Sequence, residues 1–340
     1  MTYQQVLENA RTCIGPYCKA CNDCNGKVCR NTMPGPGAKG EGTGFIRNAE
    51  KWREICVNMD TICENSQVDT SFALFGRTFE IPAFAAPVGA MRLHYGDKYD
   101  DLTYNNILVR ACANAGILAF TGDGTDPKVV EGAAEALKAN GGCGVPTIKP
   151  WDMDTIREKF ALVQEAEPFA IAMDIDAAGL PFLKNMTPPA GSKTVEELRE
   201  IVAMAEKPFI VKGIMTVSGA LKAKEAGASA IVVSNHGGRV LDQCAATAEV
   251  LADIVDAMKG SGVKIFVDGG IRSGVDVFKA LALGADAVLI CRPFVPMVYG
   301  GAEEGVKLYI EKIGAELSDT MAMCGAENLA SINRDMVLVK

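Results

Sequence analysis

The chain has 340 residues, of which 49% are hydrophobic and 22% charged, a composition typical of a globular protein with a large core. Its net charge of −8, with no basic block, excludes the electrostatic surface that binds nucleic acids or anionic membranes. No apolar run approaches the roughly 20 residues of a membrane-spanning helix, and the polar N-terminus does not resemble a signal peptide, so we expect a cytoplasmic protein.

The N-terminal part of the chain is unusually rich in cysteine. Five of the twelve cysteines fall within residues 13–29, and in a reducing compartment they stay as thiols. Four of them have a CxxCxxCx4C spacing close to that by which ferredoxins hold an iron–sulfur cluster, although the last gap is one residue longer. Zinc, which also takes four thiolates, is the alternative metal, and free packing thiols are the remaining interpretation. The predicted ligands are Cys18, Cys21, Cys24 and Cys29.

The next segments differ in composition from the rest of the chain. Residues 33–44, MPGPGAKGEGTG, are rich in glycine and proline, and residues 45–63 have a helical pattern. We expect residues 1–44 to be an extension that folds against a larger domain formed by residues 45–340. A plain linker would explain the glycines and prolines of this segment equally well.

From about residue 80 onward, short β-branched runs alternate with helical patterns. The predicted strands are 81–86, 117–121, 145–149, 169–175, 209–212, 230–234, 264–267 and 287–290. Helical patterns between them include 152–166, 194–206, 216–227, 246–259 and 274–283. Eight strand-plus-helix units predict an α/β fold, the (β/α)8 TIM barrel, with its active site at the carboxyl ends of the strands.

Polar side chains directly follow four consecutive predicted strands. They are Lys212, then Ser234, His236 and Arg239, then Asp268 and Arg272, and finally Cys291 and Arg292. Gly269 and Gly270 would let the backbone approach a phosphate, and the arginines would supply charge-assisted hydrogen bonds, although a tight turn alone would also explain the glycines. One phosphate site without a Walker or dinucleotide motif indicates a mononucleotide cofactor.

The chain has two histidines. Histidine exchanges protons near neutral pH because its unperturbed pKa is about 6.5. His236, flanked by glycine at a strand end, is therefore a candidate base. His94, in the sequence MRLHYGD, is interpreted as a surface or packing residue.

Several motifs together resemble the FMN-dependent 2-hydroxy-acid oxidase and dehydrogenase family, which includes glycolate oxidase, lactate oxidase and flavocytochrome b2. They are KGI, VSNHGGRVLD, FVDGGIRSGVDVFKALALGADAVLICRPF and ELSDTMAMCGAENLASI. The resemblance is close over residues 205–333 and weaker over 45–180, while residues 1–44 have no counterpart. It implies a TIM barrel that binds FMN.

The resemblance also implies a role for each matching residue. His236 corresponds to the active-site base, Asp176 to its carboxylate partner, Arg239 to the arginine that binds the substrate carboxylate, and Lys212 to the lysine beside flavin N1 and the C2 carbonyl. The implied FMN contacts are Pro87, Val88, Gly89, Lys149, Lys212, Ser234, Asp268, Gly269, Gly270, Arg272, Cys291 and Arg292.

The substrate positions of the family match less well than its FMN positions. No second carboxylate-binding arginine follows Asp176, and Lys149, which stands where a glutamine is expected, is a candidate replacement. The region of Trp151 replaces a tyrosine, the N-terminal substrate tyrosine has no equivalent, and the connection between Asp176 and Lys212 is short. Cys291 replaces a glycine.

We therefore predict an oxidoreductase that interconverts a small 2-hydroxy acid and its 2-oxo acid. The alternatives are an FMN-dependent isomerase of the type 2 isopentenyl diphosphate isomerase kind and a non-catalytic flavin and metal redox protein. Because a flavin needs an electron-transfer partner, iron–sulfur is slightly favoured over zinc. The resemblance also implies a homo-oligomer.

Overall fold

The computed structural model describes residues 1–64, 67–187 and 189–339. Its centre is a closed barrel of parallel strands, which confirms the predicted TIM barrel. The barrel strands are β4 (Ala83–Ala85), β5 (Ala119–Thr121), β6 (Gly144–Ile148), β7 (Ile171–Asp174), β8 (Phe209–Ile214), β9 (Ala230–Val233), β10 (Lys264–Val267) and β11 (Ala287–Ile290). They follow one another around the barrel in chain order, and β11 closes it by pairing with β4.

The barrel strands are buried on both faces. Every residue of β7, β9 and β11 is buried, since side chains fill the barrel interior on one face and helices cover the other. Their sequences are for this reason apolar throughout, except for Asp174 at the end of β7. The first polar side chain after each run lies at the barrel mouth.

Two helices precede the barrel, and at least one helix follows each barrel strand. They are α1 (Tyr3–Arg11), α2 (Thr43–Glu54), α3 (Met91–Tyr95), α4 (Asp101–Asn114), α5 (Pro127–Ala139), α6 (Met153–Gln164), α7 (Pro181–Lys184), α8 (Val195–Met204), α9 (Val217–Glu225), α10 (Thr247–Met258), α11 (Gly274–Ala282) and α12 (Phe294–Met323). Short 3-10 turns occupy Ile175–Gly179, His236–Gly238, Leu329–Ser331 and Arg334–Met336.

Side-chain caps fix several of the helix starts. Asp152 caps α6, and Thr194 forms a capping box with Glu197 at the start of α8. Ser273 and Asp276 do the same for α11. Each cap satisfies backbone N–H groups that have no partner within the helix, so it sets where the chain turns from the barrel mouth into the outer layer.

The chain before β4 forms a layer around the barrel. Helix α1 packs on α12, with the rings of Tyr3 and Tyr309 6.1 Å apart. Strand β1 (Cys56–Val57) pairs antiparallel with β12 (Val337–Leu338), and β2 (Phe72–Leu74) pairs with β3 (Arg77–Phe79). The layer therefore joins both ends of the chain.

The predicted helix over residues 45–63 is too long. Helix α2 ends at Glu54, because Ile55 turns to an extended conformation and the following residues pair with the C-terminal strand. The backbone N–H of Asn58 continues this pairing by donating to the carbonyl of Met336 at 2.9 Å. A contact 278 residues away in sequence, between Asn58 and Met336, thus outweighs the local helical pattern.

No helix in the described ranges is long and apolar enough to cross a lipid bilayer.

Candidate active site

A cavity of about 400 Å³ opens at the carboxyl ends of the barrel strands. Thirteen of the predicted site residues line it: Pro87, Val88, Gly89, Lys149, Lys212, His236, Arg239, Asp268, Gly269, Gly270, Arg272, Cys291 and Arg292. The volume lies within the range of pockets that hold cofactors and small ligands, roughly 300–1,000 Å³.

His236 and Asp176 form a hydrogen-bonded pair at this mouth. The Nδ1 atom of His236 lies 2.9 Å from Oδ1 of Asp176, and both side chains are largely buried. His236 has a positive φ of 54° in the turn after β9, and its backbone N–H donates to Oγ of Ser234 at 3.1 Å. Gly213 makes room for the carboxylate, since a Cβ there would lie 2.5 Å from Cγ of Asp176.

With Nδ1–H donated to the Asp176 carboxylate, Nε2 of His236 is left as a proton acceptor. The predicted site residues Ser234 and Asp176 do not line the cavity: Asp176 holds the imidazole, and Ser234 holds the backbone of His236. This arrangement suits a general base whose ring must keep one orientation and one tautomer.

A buried network of charges lies beneath the pair. The ammonium group of Lys212 is 2.8 Å from Oδ1 of Asp174 and 3.7 Å from Oδ2 of Asp268, and that of Lys149 is 3.6 Å from Oδ2 of Asp174. All four side chains are more than 85% buried. The sequence prediction named three of these residues and missed Asp174.

Burial alone would lower the pKa of Lys212, but the carboxylates of Asp174, Asp176 and Asp268 outweigh it and raise the pKa. Burial raises the pKa of Asp268, with Lys212 opposing the shift. For Asp174, burial favours the neutral form, yet Lys212 lowers the pKa overall. Lys212 therefore stays positively charged at the base of the cavity.

The arginines at the mouth are held by main-chain carbonyls of the N-terminal extension. Arg239 Nη1 donates to the carbonyls of Gly35 at 2.7 Å and Gly37 at 2.9 Å. Arg292 Nε donates to the carbonyl of Pro36 at 2.8 Å, and its guanidinium stacks 3.6 Å from the centre of the Phe45 ring. Burial, with a smaller contribution from Arg292, lowers the pKa of Arg239 to about 10.

The side chains at the far end of the cavity fit a phosphorylated cofactor. Among the residues that the structure describes, Nη2 of Arg272 and Oδ1 of Asp268 are buried without a hydrogen-bond partner. A buried donor and acceptor left in this way are costly unless a ligand satisfies them. Arg272 is suited to a phosphate oxygen and Asp268 to a hydroxyl group, so these residues can hold FMN.

Two substrate positions differ from the sequence interpretation. Trp151 does not line the cavity, because its Nε1 donates to Oδ2 of buried Asp123 at 2.6 Å. His94, interpreted as a surface or packing residue, does line it. Its place on α3, just after Pro87–Gly89 at the end of β4, was the signal that could have identified it, since such loops form the active sites of TIM barrels.

The predicted cysteine ligands are half-buried near the phosphate end. The carbonyl of Cys24 accepts a 2.7 Å hydrogen bond from Nε of Arg272. Burial, with smaller contributions from the other three thiols, raises the pKa of Cys18 to about 12. Within the described ranges, the one group of three side chains with ligand atoms inside 4.8 Å is Asp174, Asp176 and His236, so no three of the thiols form a group this tight.

Comparison with protein families gives one match that covers nearly the whole chain. A family model described as FMN-dependent dehydrogenase matches residues 35–187 and 172–339. Residues 1–34, which include the cysteine-rich segment, lie outside that match.

The relatives found among characterised proteins include the following two. A 4-hydroxymandelate oxidase of Amycolatopsis orientalis is 30% identical over 91% of this chain and 95% of its own length. A peroxisomal (S)-2-hydroxyacid oxidase of Arabidopsis thaliana is 48% identical, but the match covers 43% of this chain and 39% of the relative. The chain thus aligns with well under half the length of the Arabidopsis protein.

Solved structures agree with the barrel. A crystal structure of mandelate oxidase has a TM-score of 0.79 at 26% identity and covers 98% of this chain and 97% of its own. A mandelate oxidase variant with a monooxide FMN adduct has a TM-score of 0.75 at 30% identity, covering 88% of this chain and 92% of its own. A flavocytochrome b2 variant has a TM-score of 0.77 at 25% identity, covering 89% and 80% respectively.

Proposed function

This chain belongs to the FMN-dependent dehydrogenase family, and we propose that it interconverts a small 2-hydroxy acid and the corresponding 2-oxo acid. The observation that carries the proposal is that His236, held by Asp176, lines the same cavity as Arg239. The names of the relatives, a 4-hydroxymandelate oxidase and a 2-hydroxyacid oxidase, support this substrate class.

In the proposed reaction, Nε2 of His236 accepts the proton of the substrate hydroxyl group. The Asp176 carboxylate, 2.9 Å from Nδ1, stabilises the imidazolium that forms and keeps the ring in position. Arg239 binds the substrate carboxylate. Leu180, Phe182 and Leu183 provide an apolar wall for the remainder of the substrate.

The cofactor would occupy the side of the cavity formed by β8, β10 and β11. Arg272 and Arg292 would hold its phosphate, Asp268 a hydroxyl group, and Pro87–Gly89 would contact the ring system through the backbone. When bound, FMN supplies the acceptor for the two electrons removed from the substrate carbon. The positive charge of Lys212 favours negative charge at its end of the cavity.

The similarities favour this proposal over the two alternatives. The relatives reported above are named as hydroxy-acid oxidases, which supports an oxidoreductase rather than an isomerase. A non-catalytic redox protein would not need a histidine and carboxylate pair facing an arginine.

An anaerobic substrate screen tests the proposal. Purified protein should release FMN on denaturation, and a panel of 2-hydroxy acids should bleach the oxidised flavin absorbance, with a 2-oxo acid as the product. Recovery of FAD, or bleaching by none of the acids while an isopentenyl substrate is isomerised, would contradict it.

We also propose that Cys18, Cys21, Cys24 and Cys29 hold a metal centre, with an iron–sulfur cluster favoured over zinc. The close spacing of the thiols and the hydrogen bond from Arg272 to Cys24 support it, because a centre here would lie beside the cofactor end of the cavity. An iron–sulfur cluster would pass electrons between FMN and an external partner, whereas zinc would act as a structural clamp.

Elemental analysis of anaerobically purified protein tests this metal proposal. About four irons with sulfide, or one zinc, are expected per chain. Cys18→Ser should lose the metal, while the control Cys56→Ser, an exposed thiol outside the segment, should keep it. Absence of both metals from the unsubstituted protein would refute it.

A homo-oligomer and a cytoplasmic location complete the proposal. Light scattering of the purified protein would test the first and fractionation of the source cells the second. One relative is named as peroxisomal, so the location is not a constant of these proteins.

A further inference from the structure

His94 lies where the cavity meets the N-terminal extension. It is the fourth residue of α3, and its side chain lines the cavity together with Arg239 and Lys149. Its Nδ1 accepts a 2.9 Å hydrogen bond from the backbone N–H of Gly35. The carbonyl of the same Gly35 accepts the 2.7 Å hydrogen bond from Arg239, so one residue of the extension fixes both side chains.

The hydrogen bond to Nδ1 determines the tautomer of His94. An atom that accepts from an N–H carries no proton, so the proton of the neutral ring is on Nε2. Burial, reinforced by the positive charges of Arg239 and Lys149, lowers the pKa of His94 to about 3, which keeps the ring neutral under ordinary conditions. No hydrogen bond to Nε2 occurs in the part of the chain that the structure describes.

These observations describe an anion subsite. It combines a positively charged guanidinium, a neutral imidazole with a free N–H donor, and the ammonium group of Lys149. The proposed substrate carries a carboxylate with two oxygens, and Arg239 Nη1 already donates to Gly35 and Gly37. A second, independent donor would complete the contacts of the carboxylate, as the sequence provides no second arginine here.

We propose that His94 binds the substrate carboxylate by donating a hydrogen bond from Nε2 to the oxygen not held by Arg239. The inference rests on the proposed function. It assigns substrate recognition to a residue of the β4–α4 connection and makes the segment of residues 34–37 responsible for the tautomer of that residue.

Two substitutions separate a binding role from a packing role. His94→Asn places an acceptor near the position of Nδ1, so it can keep the Gly35 contact, but it has no donor near the position of Nε2. His94→Gln places an amide near the position of Nε2 and loses the acceptor for Gly35. The two variants therefore remove the two contacts one at a time.

The test measures oxalate binding to FMN-loaded protein by calorimetry and by the change in flavin absorbance. Oxalate has two carboxylates and no hydrogen to be removed from carbon. His94→Asn should weaken binding by roughly 10- to 100-fold with unchanged FMN content and Tm, since a hydrogen bond to a charged group is lost. His94→Gln should stay within a few fold of the unsubstituted protein while its Tm falls.

If His94→Asn binds oxalate normally, or if only His94→Gln is weak, His94 merely holds the extension and the inference is wrong. Failure of the proposed function has a different outcome. In that case the unsubstituted protein would bind oxalate no better than an Arg239→Gln variant does. The two His94 variants would then have the same weak oxalate affinity as these two proteins.

Discussion

The carboxyl ends of β8–β11 and the segment of residues 34–37 face each other across one cavity, but they supply different chemical groups. The strands supply side chains, such as Lys212, His236 and Arg292. The segment supplies main-chain carbonyls, which hold Arg239 and Arg292. Functional side chains can be recognised from a sequence motif. Functional backbone carbonyls cannot, and here the only sign of them in the sequence is a composition rich in glycine and proline.

The largest expected effect tests the side chains at the carboxyl ends of β8–β11, the strand side of the cavity. His236→Ala should lower the rate of flavin reduction by the substrate by about 10²–10⁴, because the proton acceptor is removed. FMN content should be unchanged, since His236 does not contact the arginines proposed to hold the phosphate. Stopped-flow reduction under anaerobic conditions measures the rate, and near-normal reduction would mean that the base lies elsewhere.

The next effect concerns the buried charges that support the strand side. Asp174→Asn should lower the free energy of unfolding by about 3–5 kcal/mol, because Lys212 and Lys149 lose the carboxylate between them. Denaturant unfolding measures it. Glu303→Gln, at the exposed ion pair with Arg110, is the control and should change stability by less than about 1 kcal/mol. Equal effects of the two substitutions would show that the buried network is not needed for stability.

A third measurement follows the free energy of unfolding as a function of pH, to test the environment of His94 between the strands and the N-terminal segment. The unfolded chain protonates His94 near its unperturbed pKa of about 6.5, whereas the folded protein resists protonation until about pH 3. Its contribution to stability is therefore present above pH 6.5 and is lost as the pH falls. Between pH 7 and 5 the unsubstituted protein should lose on the order of 1–2 kcal/mol more than His94→Asn. Parallel pH profiles would show that the ring is protonated in the folded state.

The smallest expected effect tests the main-chain carbonyls of residues 34–37. Gly37→Ala should raise KM for the acid by about tenfold, because a Cβ there would lie 2.6 Å from the backbone nitrogen of Thr32 and would displace the carbonyl that Arg239 contacts. Gly191→Ala, whose Cβ would meet no atom within 4 Å, is the control and should leave KM unchanged. If both variants behave alike, the segment does not position Arg239.

The sequence was sufficient to predict what local patterns determine. The eight barrel strands follow from apolar runs, and His236, Arg239 and Lys212 from their positions directly after such runs. The role of His94 depends on Gly35, 59 residues away, and the end of α2 on the C-terminal strand, so neither is contained in a local pattern. Asp174 was missed because it ends a strand only two residues before the predicted Asp176, and only the structure shows which carboxylate contacts which basic side chain.

The hydrogen bond between Arg272 and Cys24 has a consequence for the synthesis of the protein. The two residues are 248 positions apart, so the cysteine segment leaves the ribosome long before its docking surface exists. At about 5–20 residues per second, the interval is roughly 12–50 s. During that time the thiols are not yet covered by the barrel, so the proposed metal could be loaded before the barrel is complete, and the growing chain is more exposed to oxidants than the finished protein.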